Sequence, residues 1–309
     1  MVALQIKDLS KSFGSTEVLK KINLEIEEGS FLVLLGPSGC GKSTAARAIL
    51  RLVEPTSGEV FYRNHNLIAL KQNKLRSLRK EMQIIFQDPL ASLNPRKLIK
   101  KILEEPFDIH GFPKSKEKED LVSSLLKRVG LTPDQAEKYP HEFSGGQLQR
   151  IGIARAIALN PSLIIADEPV SALDVSIRAQ IINLLLDLKE SMRISYLFIS
   201  HDMTIVRHFC DRVAVMYLGK IVEIADSTSL FNNPRHPYTE ALLAAVPSID
   251  LDSKKQNLKI KGDLPNAIDI PKGCVFYSRC PIREKKCEQS APQLTGEYSL
   301  HQVACFLRE

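Results

Sequence analysis

The run Gly36-Pro37-Ser38-Gly39-Cys40-Gly41-Lys42-Ser43-Thr44 contains the spacing G-x-x-x-x-G-K-[ST]. Glycines at this spacing let the backbone curl until its N–H groups converge on phosphate oxygens. A helix that opens where the loop closes adds a favourable dipole for the anion. Lys42 is long enough to reach β- and γ-phosphates, and the Ser43 hydroxyl is a hard oxygen ligand for Mg²⁺. The rival reading is a glycine-rich turn with an incidental lysine.

Four further groups invite chemistry. Asp167-Glu168 ends the run LIIAD. Carboxylates at the carboxyl end of a parallel strand face the ligand crevice of such sheets. Asp167 suits Mg²⁺ and Glu168 suits polarising an attacking water. Two carboxylates at a strand exit are also commonplace. Ser144-Gly145-Gly146-Gln147 precedes the helical run LQRIGIARAIAL. Ser is a good N-cap, and the glycines leave backbone donors open to an anion. His201 follows the strand-like YLFIS, where a neutral imidazole could meet a terminal phosphate. Gln87 ends MQIIFQ in the same manner. Each of these four is ordinary when taken singly.

The elements that must position these residues are legible from periodicity. FLVLLG and LIIAD are continuous apolar runs, as expected of strands buried on both faces. Residues 2–35 read as short strands with turns, and GPSGCGKSTAARAILRLV switches to a helical period. Strands are expected at 59–62, 82–87, 196–200 and 213–219, and helices at 174–190 and 203–209. From about 97 to 160 the period is mostly helical, with Gly130 as a C-cap after SKEKEDLVSSLLKRV. Alternating strands and helices imply an α/β fold with a mostly parallel sheet covered on both faces. After about 246 the chain turns polar and rich in Pro and Gly, which reads as a linker into a small cysteine-bearing module.

Composition bounds the possibilities. The chain has 309 residues, 44% hydrophobic and 25% charged, which is ordinary for a globular protein with a substantial core. No apolar run reaches the 18 or so residues that span a bilayer, and the N-terminus lacks a secretory leader pattern. A cytosolic protein is expected, with any membrane role peripheral. The net charge of +6 is uneven. Residues 71–101 hold nine basic residues and two acidic ones, which leaves the remainder near neutral. A uniformly basic nucleic-acid binder is therefore disfavoured. The segment is either a solvated face or a docking face. In the second case Lys97, Lys100 and Lys101 meet anionic headgroups or acidic protein loops.

Cysteines are uneven too. Cys40 and Cys210 are isolated, and both read as packing residues. Cys274, Cys280, Cys287 and Cys305 cluster near the C-terminus with spacing C-x5-C-x6-C-x17-C. Four cysteines in a cytosolic chain suggest metal more than disulfides. The spacing is unlike the paired C-x2-C of zinc ribbons, and four thiolates suit a [4Fe–4S] cluster or zinc alike. Unligated buried cysteines are the third possibility.

Taken in order, Gly36–Thr44, Gln87, Ser144–Gln147, Asp167-Glu168, Ser171-Ala-Leu-Asp174 and His201 resemble a set of motifs found in ATP-binding cassette (ABC) ATPases. Those motifs are the Walker A, Q-loop, signature, Walker B, D-loop and H-switch. Phe143 stands where the signature more usually begins with Leu. The resemblance covers roughly 1–245 and implies a P-loop ABC ATPase fold. Its parts would be a RecA-like parallel sheet core, an antiparallel β subdomain, and a helical subdomain at about 90–160. Residues 246–309 would form a C-terminal extension carrying the four-cysteine module. QDPLASLNPR, HEFSGGQ, ADEPVSALDVS and NNPRHPYTEALL resemble more narrowly the ATPase subunits of bacterial oligopeptide, dipeptide and nickel importers.

The resemblance implies ATP and Mg²⁺ as ligands. Gly36, Ser38, Gly39, Gly41, Lys42, Ser43 and Thr44 would cradle the phosphates, and Phe13 in KSFG would stack on adenine unless it is a core residue. Mg²⁺ would be held by Ser43, Gln87 and Asp167. Glu168, His201, Gln87 and Lys42 would serve turnover. Ser144, Gly145, Gly146, Gln147 and Asp174 would act in a head-to-tail pair of cassettes. The narrower resemblance implies a [4Fe–4S] cluster on Cys274, Cys280, Cys287 and Cys305, with Zn²⁺ as the alternative.

The implied partners are a second ATPase subunit, identical or paralogous, and two transmembrane permease subunits. An extracytoplasmic solute-binding protein would act indirectly, and no nucleic acid is implied. The implied location is the cytoplasmic face of the membrane. Peptides are the expected cargo, with nickel or another small solute as the alternative. A soluble ABC ATPase acting on DNA or ribosomes is disfavoured by the single cassette and by a separation of only 102 positions from Lys42 to Ser144. A module that has lost hydrolysis is disfavoured by intact Glu168 and His201.

Overall fold

Strands such as Phe31–Leu35 and Leu163–Asp167 are apolar at every position, and every residue in them is buried. Such runs exclude water from both faces and leave backbone pairing to fix their place. A computed structural model describes residues 1–111, 115–207, 209–245, 272–297 and 301–308. The linker expected after 246 lies outside the described residues as far as 271. The chain divides into two compact units.

The first unit comprises 1–3, 26–30 and 69–199. Its strands Met82–Ile85, Leu163–Asp167 and Ser195–Ser200 run parallel, with Met82 opposite Leu163 and Leu163 opposite Ser195. Helices surround this edge of sheet. Ile99–His110, Ser115–Arg128 and Gly145–Ile157 bury apolar stripes that include Ile102, Leu103, Leu126 and Ile151. Gly130, at φ 73, lies just past the helix Ser115–Arg128, as the sequence suggests. Val175–Met192 is the longest helix among the described residues and buries Ile181, Leu184, Leu185 and Leu188.

The second unit comprises 4–25, 31–68 and 200–309. Phe31–Leu35 pairs in parallel with Arg212–Tyr217, Leu32 opposite Arg212. Lys220–Asp226 then returns antiparallel, and the short C-terminal strands His301–Val303 and Thr295–Glu297 extend that edge. An antiparallel sheet has the order Thr16–Glu27, Val2–Phe13, Ser57–Tyr62, His65–Asn66.

Two differences from the sequence reading have physical causes. The N-terminal strands are not short. Val2–Phe13 and Thr16–Glu27 are each 12 residues long, because alternating burial lets charged residues such as Lys7 and Glu17 face outward without breaking the ladder. The strand Lys220–Asp226 and the helices Ser227–Asn232 and Pro237–Ala244 were not anticipated. Glu223 in that strand is fully buried. Among the described residues no helix is long and apolar enough to cross a membrane.

Candidate functional site

The second unit holds the phosphate loop. Phe31–Leu35 delivers the chain to Gly36, whose N–H donates to the carbonyl of Ser200 at 3.3 Å. The loop then turns through Gly39 at φ 79 and Gly41 at φ 108, backbone conformations that favour glycine. Gly41 is the N-cap of the helix Lys42–Ile49, which carries no capping side chain and no acidic residue in its first turn. A helix N-terminus of this kind favours an anion through its dipole. Lys42 is buried, and its ammonium donates to the carbonyls of Gly36 at 2.9 Å and Pro37 at 3.0 Å. Ser38 and Gly39 are exposed, while Ser43 and Thr44 are half-buried. Cys40 is buried, and its carbonyl accepts from Gly219 N at 2.9 Å.

Two more expected residues lie in this unit. His201 is exposed at the end of the same segment whose Ser200 carbonyl anchors Gly36. Asp202 fixes the turn after it by accepting from Thr204 N at 2.9 Å. Phe13 is 51% exposed, with the Lys11 ammonium 4.8 Å from its ring centroid. The alternative that Phe13 is a core residue is thereby removed.

The first unit brings together the carboxylates and the glutamine. Asp167 is buried at the end of its strand. Glu168 follows, also buried, with φ 46. That left-handed conformation is strained for a side-chain-bearing residue and concentrates at working sites. It is held by Glu168 N donating to Ile199 O at 3.2 Å and by Ser171 Oγ donating to Glu168 O at 3.1 Å. Gln87 Nε2 donates to Glu168 Oε2 at 3.2 Å.

Ser144 caps the helix Gly145–Ile157, and Gln147 Oε1 returns to Ser144 N at 3.0 Å in a reciprocal capping box. Ser144 and Gly145 are exposed. A Cβ on Gly146 would stand 2.6 Å from the Cγ2 of Ile177, so a larger residue here would have to displace that side chain. Asp174 is exposed at the N-cap of Val175–Met192.

The four C-terminal cysteines also converge. Cys274 N donates to Cys287 O at 2.7 Å. Burial pushes the Cys274 thiol up to about 11, with Cys287, Cys280 and Cys305 adding to the rise. Burial, with other cysteines nearby, likewise raises Cys280 and Cys305. Among the described residues, however, no three His, Cys, Asp or Glu stand close enough to hold a metal ion. The donor set suits a soft cation, which would relieve the cost of forming thiolates there. Cys210 is half-buried, its thiol donating to Val206 O at 3.1 Å.

The basic segment requires a correction. Lys97 pairs with Glu105 at 3.6 Å, Lys100 with Glu119 at 2.6 Å and Glu137 at 3.7 Å, and Lys101 with Glu104 at 2.8 Å. These lysines neutralise acids of their own unit, from beyond the stretch over which the charge was counted. Three of the nine basic residues of 71–101 are answered in this way, so these three are not spare charges for a docking surface.

A buried polar group under the C-terminal segment had no sequence signal. Glu223 Oε1 lies 2.7 Å from His301 Nε2 and accepts from Arg235 N at 2.7 Å, while Oε2 accepts from His236 N at 3.0 Å. Beside it Tyr217, Tyr238 and Phe276 pack with centroids 4.6 to 5.5 Å apart.

Comparison with known proteins agrees with this geometry. Residues 19–171 match the family model described as ABC transporter, and 222–287 match that of the oligopeptide/dipeptide transporter C-terminal region. The chain is 48% identical to the oligopeptide transport ATP-binding protein AppF of Bacillus subtilis, over 98% of this chain and 97% of that protein. It is 45% identical to the dipeptide transport ATP-binding protein DppF of Haemophilus influenzae, over 94% and 89%. Among solved structures it resembles the ATP-binding cassette MJ0796 bound to ADP and Pi. The TM-score is 0.66 with 32% identity, covering 72% of this chain and 98% of that one. CbiO1 of Clostridium perfringens superposes with a TM-score of 0.68 at 27% identity, over 75% and 91%.

Proposed function

Because this chain belongs to the ABC transporter family, we propose that it is the ATP-hydrolysing, energy-coupling subunit of a peptide importer. The observation that carries this is the likeness to oligopeptide and dipeptide transport ATP-binding proteins along nearly the whole chain, C-terminal region included.

The chemistry is divided among the residues as follows. The amides of Gly36–Thr44 and the ammonium of Lys42 bind the triphosphate, and Phe13 stacks on adenine. Ser43, Asp167 and Gln87 are the groups that would hold Mg²⁺, which supplies charge neutralisation on the phosphates. A buried carboxylate beside a strand end suits that cation. Glu168 accepts a proton from the attacking water, and Gln87 orients its carboxylate. His201 contacts the terminal phosphate. Ser144, Gly145, Gly146 and Gln147 present an exposed helix N-terminus to the nucleotide of a partner cassette, and Asp174 lies at the same contact. Closure of two cassettes on ATP and their release after hydrolysis is a ligand-driven two-state switch.

The domains follow the same reading: an ATPase body over 1–245, its helical part at about 90–160, and an extension at 246–309. Cys274, Cys280, Cys287 and Cys305 would hold a soft metal group, a [4Fe–4S] cluster ahead of zinc, as a staple for the extension. The partners are a second cassette, two permease subunits and, through them, a solute-binding protein, at the cytoplasmic face of the membrane. A cavity of about 420 Å³ lined by Asn94, Ile109, His110 and Arg155 supports docking of a permease segment on the helical part.

The test is reconstitution with the membrane subunits. ATP-dependent peptide uptake that is lost with Glu168→Gln is expected. Recovery of the protein on ribosomes or DNA, with no membrane subunits, would overturn the reading.

A further inference from the structure

The second unit contains a cavity of about 780 Å³ whose described lining includes none of the phosphate-loop residues. That volume lies within the roughly 300–1,000 Å³ of small-molecule sites. Its walls come from three places in the chain. The strand Thr16–Glu27 and the turn before it contribute six residues between Ser15 and Asn23, the strand Lys220–Asp226 contributes its first two residues, and the C-terminal segment contributes Lys272, Gly273, Val275 and residues 292–294.

The charge of this lining is one-sided. Lys20, Lys21, Lys220 and Lys272 face it, and among its described residues Glu17 is the sole carboxylate. Like charges gathered around a concavity focus a positive potential and concentrate anions. Neutral hydrogen-bonding groups accompany them in Asn23 and Gln293.

Lys20 is the most constrained of the four. Its backbone N–H donates to Gly219 O at 2.9 Å, and its ammonium donates to Leu218 O at 3.2 Å. Burial pushes its pKa down to about 8; Glu17 opposes the shift and Lys220 adds to it. The ammonium is thus charged at neutral pH but under-solvated and under-compensated. An anion in the cavity would relieve both costs.

We propose that this cavity is a second ligand site, separate from the phosphate loop, for a small soluble polyanion carrying clustered phosphate or carboxylate groups. Lys20 and Lys220 form its charged floor, Lys21 and Lys272 its rim, and the C-terminal segment closes one wall. The inference is independent of the transport reading, since it concerns binding alone.

The probe is inorganic pyrophosphate, titrated calorimetrically into the full chain already saturated with Mg²⁺ and a non-hydrolysable ATP analogue. Saturating the analogue fills the phosphate loop, so any further pyrophosphate binds elsewhere. One pyrophosphate per chain is expected. The Lys20→Ala/Lys220→Ala double variant should bind it at least ten-fold more weakly, with analogue affinity unchanged. Lys272→Ala leaves the Lys20–Leu218 hydrogen bond in place and should weaken binding several-fold; it serves if the double variant does not fold. Absence of saturable heat from the wild type, or equal binding by the variants, overturns the proposal. A lysine-dependent flotation with phosphatidylglycerol vesicles and no pyrophosphate binding also overturns it, by assigning the phosphate to a lipid headgroup.

Discussion

The amide of Gln87 donates to the carboxylate of Glu168 across 3.2 Å. Each residue follows a strand, Met82–Ile85 and Leu163–Asp167, and those strands pair in parallel. The backbone register therefore sets this side-chain contact. The amide donor fixes the orientation of the carboxylate.

Glu168→Gln keeps the shape and removes the base. ATP binding should persist at wild-type affinity while turnover falls by about 10²-fold or more, the usual worth of a positioned general base. Equilibrium nucleotide binding and steady-state phosphate release check the two halves. Undiminished hydrolysis would end the assignment of Glu168. Gln87→Ala should lower kcat by less than Glu168→Gln, because it loosens the base without deleting it.

Much of this arrangement was legible in the sequence because the motifs sit where strands end, and apolar runs such as LIIAD and FLVLL locate strand ends well. The spacing around Lys42 carried the curl of the loop, and the structure adds that Gly39 and Gly41 turn it in left-handed conformations. Other features left no local trace. The left-handed φ of Glu168 arises from bonds to Ile199 and Ser171 in three-dimensional space. Glu223 is buried because Arg235, His236 and His301 supply donors from far along the chain. The pairing of Lys97, Lys100 and Lys101 escaped notice because charge was counted over a window that stopped short of Glu104, Glu105, Glu119 and Glu137.

Phe13 is an exposed aromatic next to a lysine that already stacks on it. Nothing in core packing requires so exposed a ring, so truncation should spare folding. Phe13→Ala should weaken ATP binding by about 1–3 kcal/mol, the usual worth of base stacking on an aromatic. Phe13→Tyr should restore it. An unchanged Kd in Phe13→Ala would remove the ring from the nucleotide site, whatever the melting temperature.

The cysteine cluster makes a prediction that depends on pH. Burial holds the Cys274 thiol up near 11, so the thiol form dominates at neutral pH and a metal must displace protons to bind. Metal uptake should strengthen as pH rises from 6 to 8 and be accompanied by proton release. Anaerobically purified wild type should be coloured, and Cys274→Ser should be colourless. A colourless wild type containing zinc would refute the iron–sulfur assignment and keep the metal site. A wild type with neither would leave Cys274, Cys280, Cys287 and Cys305 as packing residues.

His236 links pH to stability in the second unit. Its ring accepts from Tyr238 N at 3.1 Å as the N-cap of Pro237–Ala244, which requires an unprotonated Nδ1. Burial pushes its pKa down to about 4 from the ordinary 6.5, and the Glu223 carboxylate only partly offsets this. The folded ring therefore stays neutral between pH 6.5 and 4, while the unfolded chain takes up a proton. Stability contributed by this group is intact above about pH 6.5 and falls as the pH drops toward 4. The total loss is about 3 kcal/mol for a shift of that size. His236→Asn retains a capping acceptor and cannot titrate. Urea unfolding at pH 7 and pH 5 should show a smaller loss in the variant than in the wild type. An equal loss in both would mean that His236 does not carry the pH dependence of this unit.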